Sequence, residues 1–182
     1  MPDIRDLINY FIDMNNLLNK KVDICILGGS VFVLYQLRPS SPDLDILVEG
    51  SDYYQVVKAA KSLEKKYKFN VDILSNGNLE NIQMPKNYMK RAKRYNKYKK
   101  EFPNIRLWTL YVYDIIISKI HRWNKKDIVD INFWINHNRI FRHRLEKRIN
   151  NYHIPNRLRF EKNLEEFYKL FGPKLKEKWH LF

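Results

Sequence analysis

The residues best placed to do chemistry are three aspartates and a glycine pair. Asp43 and Asp45 stand two apart in PDLDILVE, residues 42–49. Alternation along an extended chain points both carboxylates to one face and sends Leu44, Ile46 and Val48 to the other. Two like charges side by side are costly unless something positive lies between them. A divalent cation meets that need, and Mg²⁺ takes carboxylates together with substrate phosphates. Asp72 interrupts a further apolar stretch, FNVDIL over 69–74, and closes the set if that stretch lies beside the first. Upstream, VDICIL (22–27) runs into Gly28-Gly29-Ser30. Paired glycines let a backbone approach a ligand closely, and the helix start that follows offers free N–H groups to an anion. Ser30 adds a hydroxyl. Three carboxylates around one or two Mg²⁺ (or Mn²⁺) ions, beside a phosphate-accepting turn, describe a phosphoryl-transfer site.

The elements that must hold these groups are legible from hydrophobic period. Ile4, Leu7, Ile8, Phe11, Ile12 and Leu18 recur at helical spacing, with Asp3 as N-cap. Strands are expected at 22–27, 44–49 and 69–74, and helices at 30–37 and 52–67. A turn is expected at SNGN (75–78), then helix and loop over 79–101, and a further strand over 104–111. Beyond that the pattern is helical alone: 113–123, 126–138, about 139–151 and 156–170, the last ended by Gly172-Pro173. Strands mixed with helices, followed by helices only, give an α/β (α+β) class with a mixed sheet flanked by helices. The expected division is a core over 1–111 and a helical, basic region over 112–182.

The chain has 182 residues, 34 Lys and Arg against 20 Asp and Glu, and a net charge of +14. Residues 1–85 hold nine basic and eleven acidic side chains, net −2, whereas residues 86–182 hold 25 and nine, net +16. Such asymmetry suits a back half that meets a polyanion. Its densest stretch, KNYMKRAKRYNKYKKEF (86–102), interleaves eight cations with four aromatics, a composition suited to stacking bases and pairing phosphates of RNA. Lys90, Arg91, Lys93, Arg94 and Lys97 are the expected contacts there. Arg142 and Arg144 are expected contacts in a second cluster at 139–148. The single cysteine, Cys25, rules out an intrachain disulfide and a Cys-based zinc site and reads as a buried small residue. The five histidines show no metal-ligand spacing. Trp108, Trp123 and Trp134 read as core. No apolar run reaches the length of a membrane span, and the mixed N-terminus does not read as a signal peptide. A basic cytoplasmic protein is expected.

Gly-Gly-Ser, twelve residues, Asp43-Leu44-Asp45 and a later Asp72 on a strand together resemble the nucleotidyltransferase superfamily that shares the DNA polymerase beta-type fold. The resemblance implies transfer of a nucleoside monophosphate from an NTP with release of pyrophosphate. It implies that Gly28, Gly29 and Ser30 lie at the triphosphate, that Asp43 and Asp45 bind metal, and that Asp72 completes the metal site or acts as base. YDIIISKIHRWNKKDIVDI (113–131) is similar to the Asp-x4-Lys…Arg…Lys-Asp-x2-Asp segment of the minimal, AbiEii-like toxin branch. In a helical reading Asp114, Ser118, Lys119, Arg122 and Lys126 form a polar side that lines the cleft, and the similarity implies that Lys119 faces the NTP phosphates, with Lys126 and Asp127 at the start of the next helix and Asp127 as its cap. RNA such as tRNA is then the implied acceptor, in a toxin–antitoxin or phage-defence setting with a cognate antitoxin as partner. The segment before Asp43 departs from the family by reading Ser-Ser-Pro. A small-molecule or protein acceptor, or a nucleic-acid-binding module without catalysis, are the alternatives. Three clustered carboxylates would repel phosphate in a mere binding module.

Overall fold

The protein is described by a computed structural model covering residues 1–75, 78–79, 82–85 and 87–177. The expected turn at 75–78 falls partly outside these residues, and His180 wholly so. Contacts divide the chain into two compact units, Met1–Gly77 with Met89–Leu110, and Asn78–Tyr88 with Tyr111–Phe182.

The first unit is built on a five-stranded mixed sheet. Its strands are β1 (Val22–Ile26), β2 (Asp43–Leu47), β3 (Asn70–Leu74), β6 (Lys93–Tyr95) and β7 (Ile105–Thr109), in the order β3-β2-β1-β7-β6. β1 runs antiparallel to β2 and parallel to β7; β2 runs parallel to β3, and β6 antiparallel to β7. The helices of this unit are α1 (Ile4–Leu17), α2 (Ser30–Leu34) and α3 (Asp52–Leu63). α1 begins in a capping box: the Asp3 carboxylate accepts from the backbone of Arg5 and Asp6, and Asp6 reciprocates. Val22, Ile24 and Ile26 of β1, Leu44 and Ile46 of β2, and Leu107 of β7 alternate onto one face and are buried, as are Leu7, Phe11 and Met14 of α1 and Val56 and Leu63 of α3.

α2 is shorter than the expected 30–37. It stops at Leu34: Gln36 takes a left-handed φ of 58°, and the turn closes with the Leu37 amide donating to the Phe32 carbonyl at 2.8 Å and the Gln36 amide to the Val33 carbonyl at 2.9 Å. The stretch expected as helix and loop over 79–101 instead holds the short pair β4 (Asn78–Leu79) and β5 (Ile82–Gln83), a 3₁₀ turn at Tyr88–Arg91 and strand β6.

The second unit is helical: α4 (Val112–Arg122), α5 (Lys125–His137), α6 (Arg142–Ile149) and α7 (Arg157–Phe171), closed by a 3₁₀ turn at Gly172–Lys174. Trp123 at the end of α4 adopts a left-handed φ of 51°, which lets the chain turn directly into α5, capped by the Asn124 side chain. No helix among the described residues is long and apolar enough to cross a membrane.

Candidate active site

β2 and β3 pair in parallel with Asp45 directly beside Asp72 and Asp43 beside Asn70. Paired positions in a sheet share a face, so all three aspartates lie on one side of two adjacent strands. This is the face opposite Leu44 and Ile46. Asp43 and Asp45 are half-buried and Asp72, on the sheet edge, is exposed. Asp72 also lines a 380 Å³ cleft with Tyr53, Lys61 and Glu64.

The glycine turn sits against the carboxylates. β1 is antiparallel to β2, and the Leu27 amide donates to the Asp45 carbonyl at 2.9 Å, which brings the following Gly28 beside the Asp45 side chain. A Cβ at Gly28 would lie 2.2 Å from Asp45 Oδ2, and its φ of +56° is itself in the region glycine favours. A Cβ at Gly29 would lie 2.6 Å from Ser41 Oγ and 3.4 Å from Arg38 Nη1. Ser30 is fully buried, and its hydroxyl donates to the Asp43 carbonyl at 2.8 Å. Ser30 therefore fastens the turn to β2 at the residue next to the site and does not present its hydroxyl outward.

Two residues of this site escaped the sequence reading. The Arg38 guanidinium lies at the Gly29 turn and over the Phe32 ring, 4.8 Å from its centroid. Ser41 is fully buried, its Oγ without a hydrogen-bond partner, at the same turn. The signal available for Arg38 was its position as the only cation between Gly29 and Asp43.

Among the described residues no group of three or more His, Cys, Asp or Glu side chains is placed so that it could hold a metal ion. The carboxylates of Asp43, Asp45 and Asp72 are nevertheless of the type that a hard cation takes. Three carboxylates on adjacent strand positions offer only oxygen, the ligand Mg²⁺ prefers, and an open arrangement leaves coordination to substrate phosphates. The close approach at Gly28 keeps this ground free of side-chain bulk.

The second unit treats its ionisable residues differently. Lys119, expected at the NTP phosphates, is buried, and its ammonium donates to Asp130 Oδ2 at 2.6 Å and Asp127 Oδ1 at 3.3 Å. Arg122 adds a second cation to Asp127, Nη2 to Oδ1 at 2.6 Å. The helical period that suggested an open polar side on α4 is filled instead by carboxylates of α5, because a buried ammonium must be paired. Asp114 is also buried. Arg148 grips it through Nε at 2.6 Å and Nη2 at 2.8 Å, and the Tyr152 hydroxyl donates to it at 2.7 Å. Burial and the Asp114 charge together push the Tyr152 phenol well above its usual range.

The expected RNA contacts Lys90, Arg91, Lys93, Arg94 and Lys97 are all exposed in the first unit, and Arg142 and Arg144 are exposed in the second. β6 parts neighbours of the first cluster: Arg94 shares the aspartate face, while Lys93 projects to the other side and lies over the Tyr35 ring.

An Asp-x-Asp strand paired to a third aspartate, with a glycine turn pressed against it, on a mixed sheet flanked by helices, defines a nucleotidyltransferase-like protein. Residues 5–171 match the family DUF6036, described as nucleotidyltransferases of unknown function, and the chain belongs to that family. No curated protein and no solved structure matches the chain.

Proposed function

We propose that the protein transfers a nucleoside monophosphate from an NTP to a hydroxyl of RNA, with tRNA the foremost acceptor, and that it needs Mg²⁺ or Mn²⁺ to do so. The pairing of Asp45 with Asp72 on the face that carries Asp43 is the observation that carries this reading. Asp43, Asp45 and Asp72 would hold the metal. When bound, the cation neutralises phosphate charge and lowers the pKa of an attacking hydroxyl.

The rest falls to the chain itself. Gly28 and Gly29 admit the triphosphate close to the backbone. Arg38, a fork of fixed donors, meets its oxygens at the same turn. Ser30 keeps the turn in register with β2. The acceptor oxygen forms a bond to the α-phosphorus, the bond to the β-phosphate bridging oxygen breaks, and pyrophosphate leaves. The hydroxyl proton passes to Asp72, the most exposed of the three carboxylates. The net +16 of residues 86–182 favours a polyanionic acceptor and disfavours a cationic one.

Label transfer tests this. The protein is incubated with Mg²⁺, each labelled NTP in turn and total RNA, beside an Asp43→Asn/Asp45→Asn control. Label on an RNA band that disappears in the control supports the reading and names both substrates. Label on polypeptide moves the acceptor to protein. Absence of both transfer and Mg–NTP binding in the wild type removes the catalytic reading.

A further inference from the structure

Trp108 is not the core residue its sequence context suggests. It lies on β7, half-buried, paired with Cys25 of β1 and Arg94 of β6. Cys25 pairs in turn with Leu47 of β2. Because paired residues share a face, Arg94, Trp108, Cys25, Leu47 and therefore Asp45 and Asp43 all lie on one side of the sheet.

The indole on this face is held in place. Its Nε1 donates to Asp23 Oδ1 at 2.6 Å, and Asp23 is itself clamped by Arg106, whose Nε donates to Oδ1 at 2.8 Å and whose Nη2 donates to Oδ2. A ring fixed in advance loses little further freedom when it binds a planar partner. Arg94 is exposed, and its guanidinium stands 5.9 Å from the Trp108 centroid. That is the outer limit of a cation–π contact, and the half-buried ring and the exposed cation stand together on this face. Arg94 and Arg106 outweigh Asp23, so the patch is positive in net charge.

We propose that Trp108 is a stacking platform for an unpaired base of the acceptor RNA, with Arg94 swinging from the ring to an adjoining phosphate. The proposal rests on the RNA acceptor of the reading above. An aromatic ring beside arginines is the arrangement that binds single-stranded nucleic acid without reading its sequence. The placement fits an acceptor strand and not the NTP. The glycine turn lies at the C-terminal end of β1, whereas Trp108 is level with Cys25, further back along that strand. Two strands and two residues separate Trp108 from Asp45, about 12 Å by sheet spacing. A base stacked there would belong to a nucleotide one or two removed from the reacting hydroxyl.

The test is equilibrium binding of a fluorescently labelled, unstructured twelve-nucleotide RNA, read by anisotropy without NTP. Trp108→Ala should weaken binding by about tenfold. Trp108→Phe, which keeps a ring, should recover most of the loss, and a fluorescent NTP analogue should bind both variants with Mg²⁺ as it binds the wild type. Arg94→Ala should flatten the salt dependence by about one phosphate contact, whereas Trp108→Ala should leave that slope unchanged. RNA affinity within twofold of wild type in Trp108→Ala overturns the platform, as does a Phe variant as weak as the Ala variant. A wild type that binds no RNA overturns it too. Retained RNA affinity in Trp108→Ala, alongside RNA labelling by the wild type, would sink the platform alone; failure of the wild type to transfer label while Trp108→Ala loses RNA affinity would sink the transferase reading alone.

Discussion

Gly28 lies so close to Asp45 that a single added carbon would stand 2.2 Å from the Asp45 carboxylate. The left-handed φ of Gly28 adds a second reason against any side chain. Gly28→Ala should cost about 1–3 kcal/mol of stability and abolish label transfer, because the Asp45 carboxylate must rotate away. Gly29→Ala meets the Ser41 and Arg38 side chains, which can move, so it should fold better than Gly28→Ala. Urea midpoints for the pair check this; equal midpoints would refute the distinction.

The three aspartates stand together on one face of β2 and β3. Asp43, Asp45 and Asp72 share a face with no basic residue at the paired strand positions. On the proposed reading, Asp45→Asn and Asp72→Asn should each reduce label transfer by at least about a hundredfold, and Asp72→Asn, at the exposed sheet edge, should leave the melting temperature in EDTA unchanged or higher, since like-charge repulsion falls. Mg²⁺ should raise the wild-type melting temperature and not that of Asp43→Asn/Asp45→Asn. Melting curves with and without Mg²⁺ decide it.

Ser30 should behave as a positioning residue. Its hydroxyl is spent on the Asp43 carbonyl. Ser30→Ala should lower stability by about 1 kcal/mol and reduce transfer through a displaced Asp43. Ser30→Thr, which keeps the hydroxyl, should recover transfer if the buried turn admits the extra methyl. A Ser30→Ala variant with full stability and a raised KM for NTP alone would instead assign the hydroxyl to the triphosphate.

What the sequence reveals of this site follows from how local each signal is. Alternation in LDILV and FNVDIL is local, so the strands and the common face of Asp43 and Asp45 can be read directly. That Asp72 lies beside Asp45 depends on which strands pair, which alternation does not state. Trp108 looks like core because it stands between Leu107 and the run Leu110-Tyr111; the β1–β7–β6 pairings turn it, with Arg106, onto the aspartate face. Lys119 looks solvent-facing because its helix is amphipathic, and only the docking of α5 reveals the carboxylates that bury it. Arg38 sits in an irregular loop, where no period points to its partner.

Alkaline pH should unfold the protein through its buried tyrosines. Burial, with Tyr98 and Tyr35 nearby, pushes the Tyr95 phenol from 10.0 up to about 12, and its hydroxyl donates to the Leu34 carbonyl at 2.8 Å. A phenol whose pKa is raised on folding keeps its proton more tightly in the folded state. Its contribution is whole below pH 10 and is lost as pH rises toward 12, by about 1.4 kcal/mol per pH unit. Tyr95→Phe should therefore flatten the fall of the urea midpoint between pH 10 and pH 11.5. An unchanged slope would mean that Tyr95 ionises as freely in the folded chain as in the unfolded one.

Lys119 separates two roles that its position alone could serve. Its ammonium holds Asp127 and Asp130, all three nearly inaccessible to solvent. Lys119→Met leaves two buried carboxylates with Arg122, 35% exposed, as the remaining cation on Asp127. Removing one partner of a buried ion pair costs about 3–5 kcal/mol, so Lys119→Met should unfold at much lower urea. Lys119→Met combined with Asp130→Leu removes one of the two buried carboxylates as well and should regain part of that loss. The opposite pattern, native stability in Lys119→Met with transfer lost and the KM for NTP raised, would show that the ammonium leaves its carboxylates to meet phosphate during the reaction.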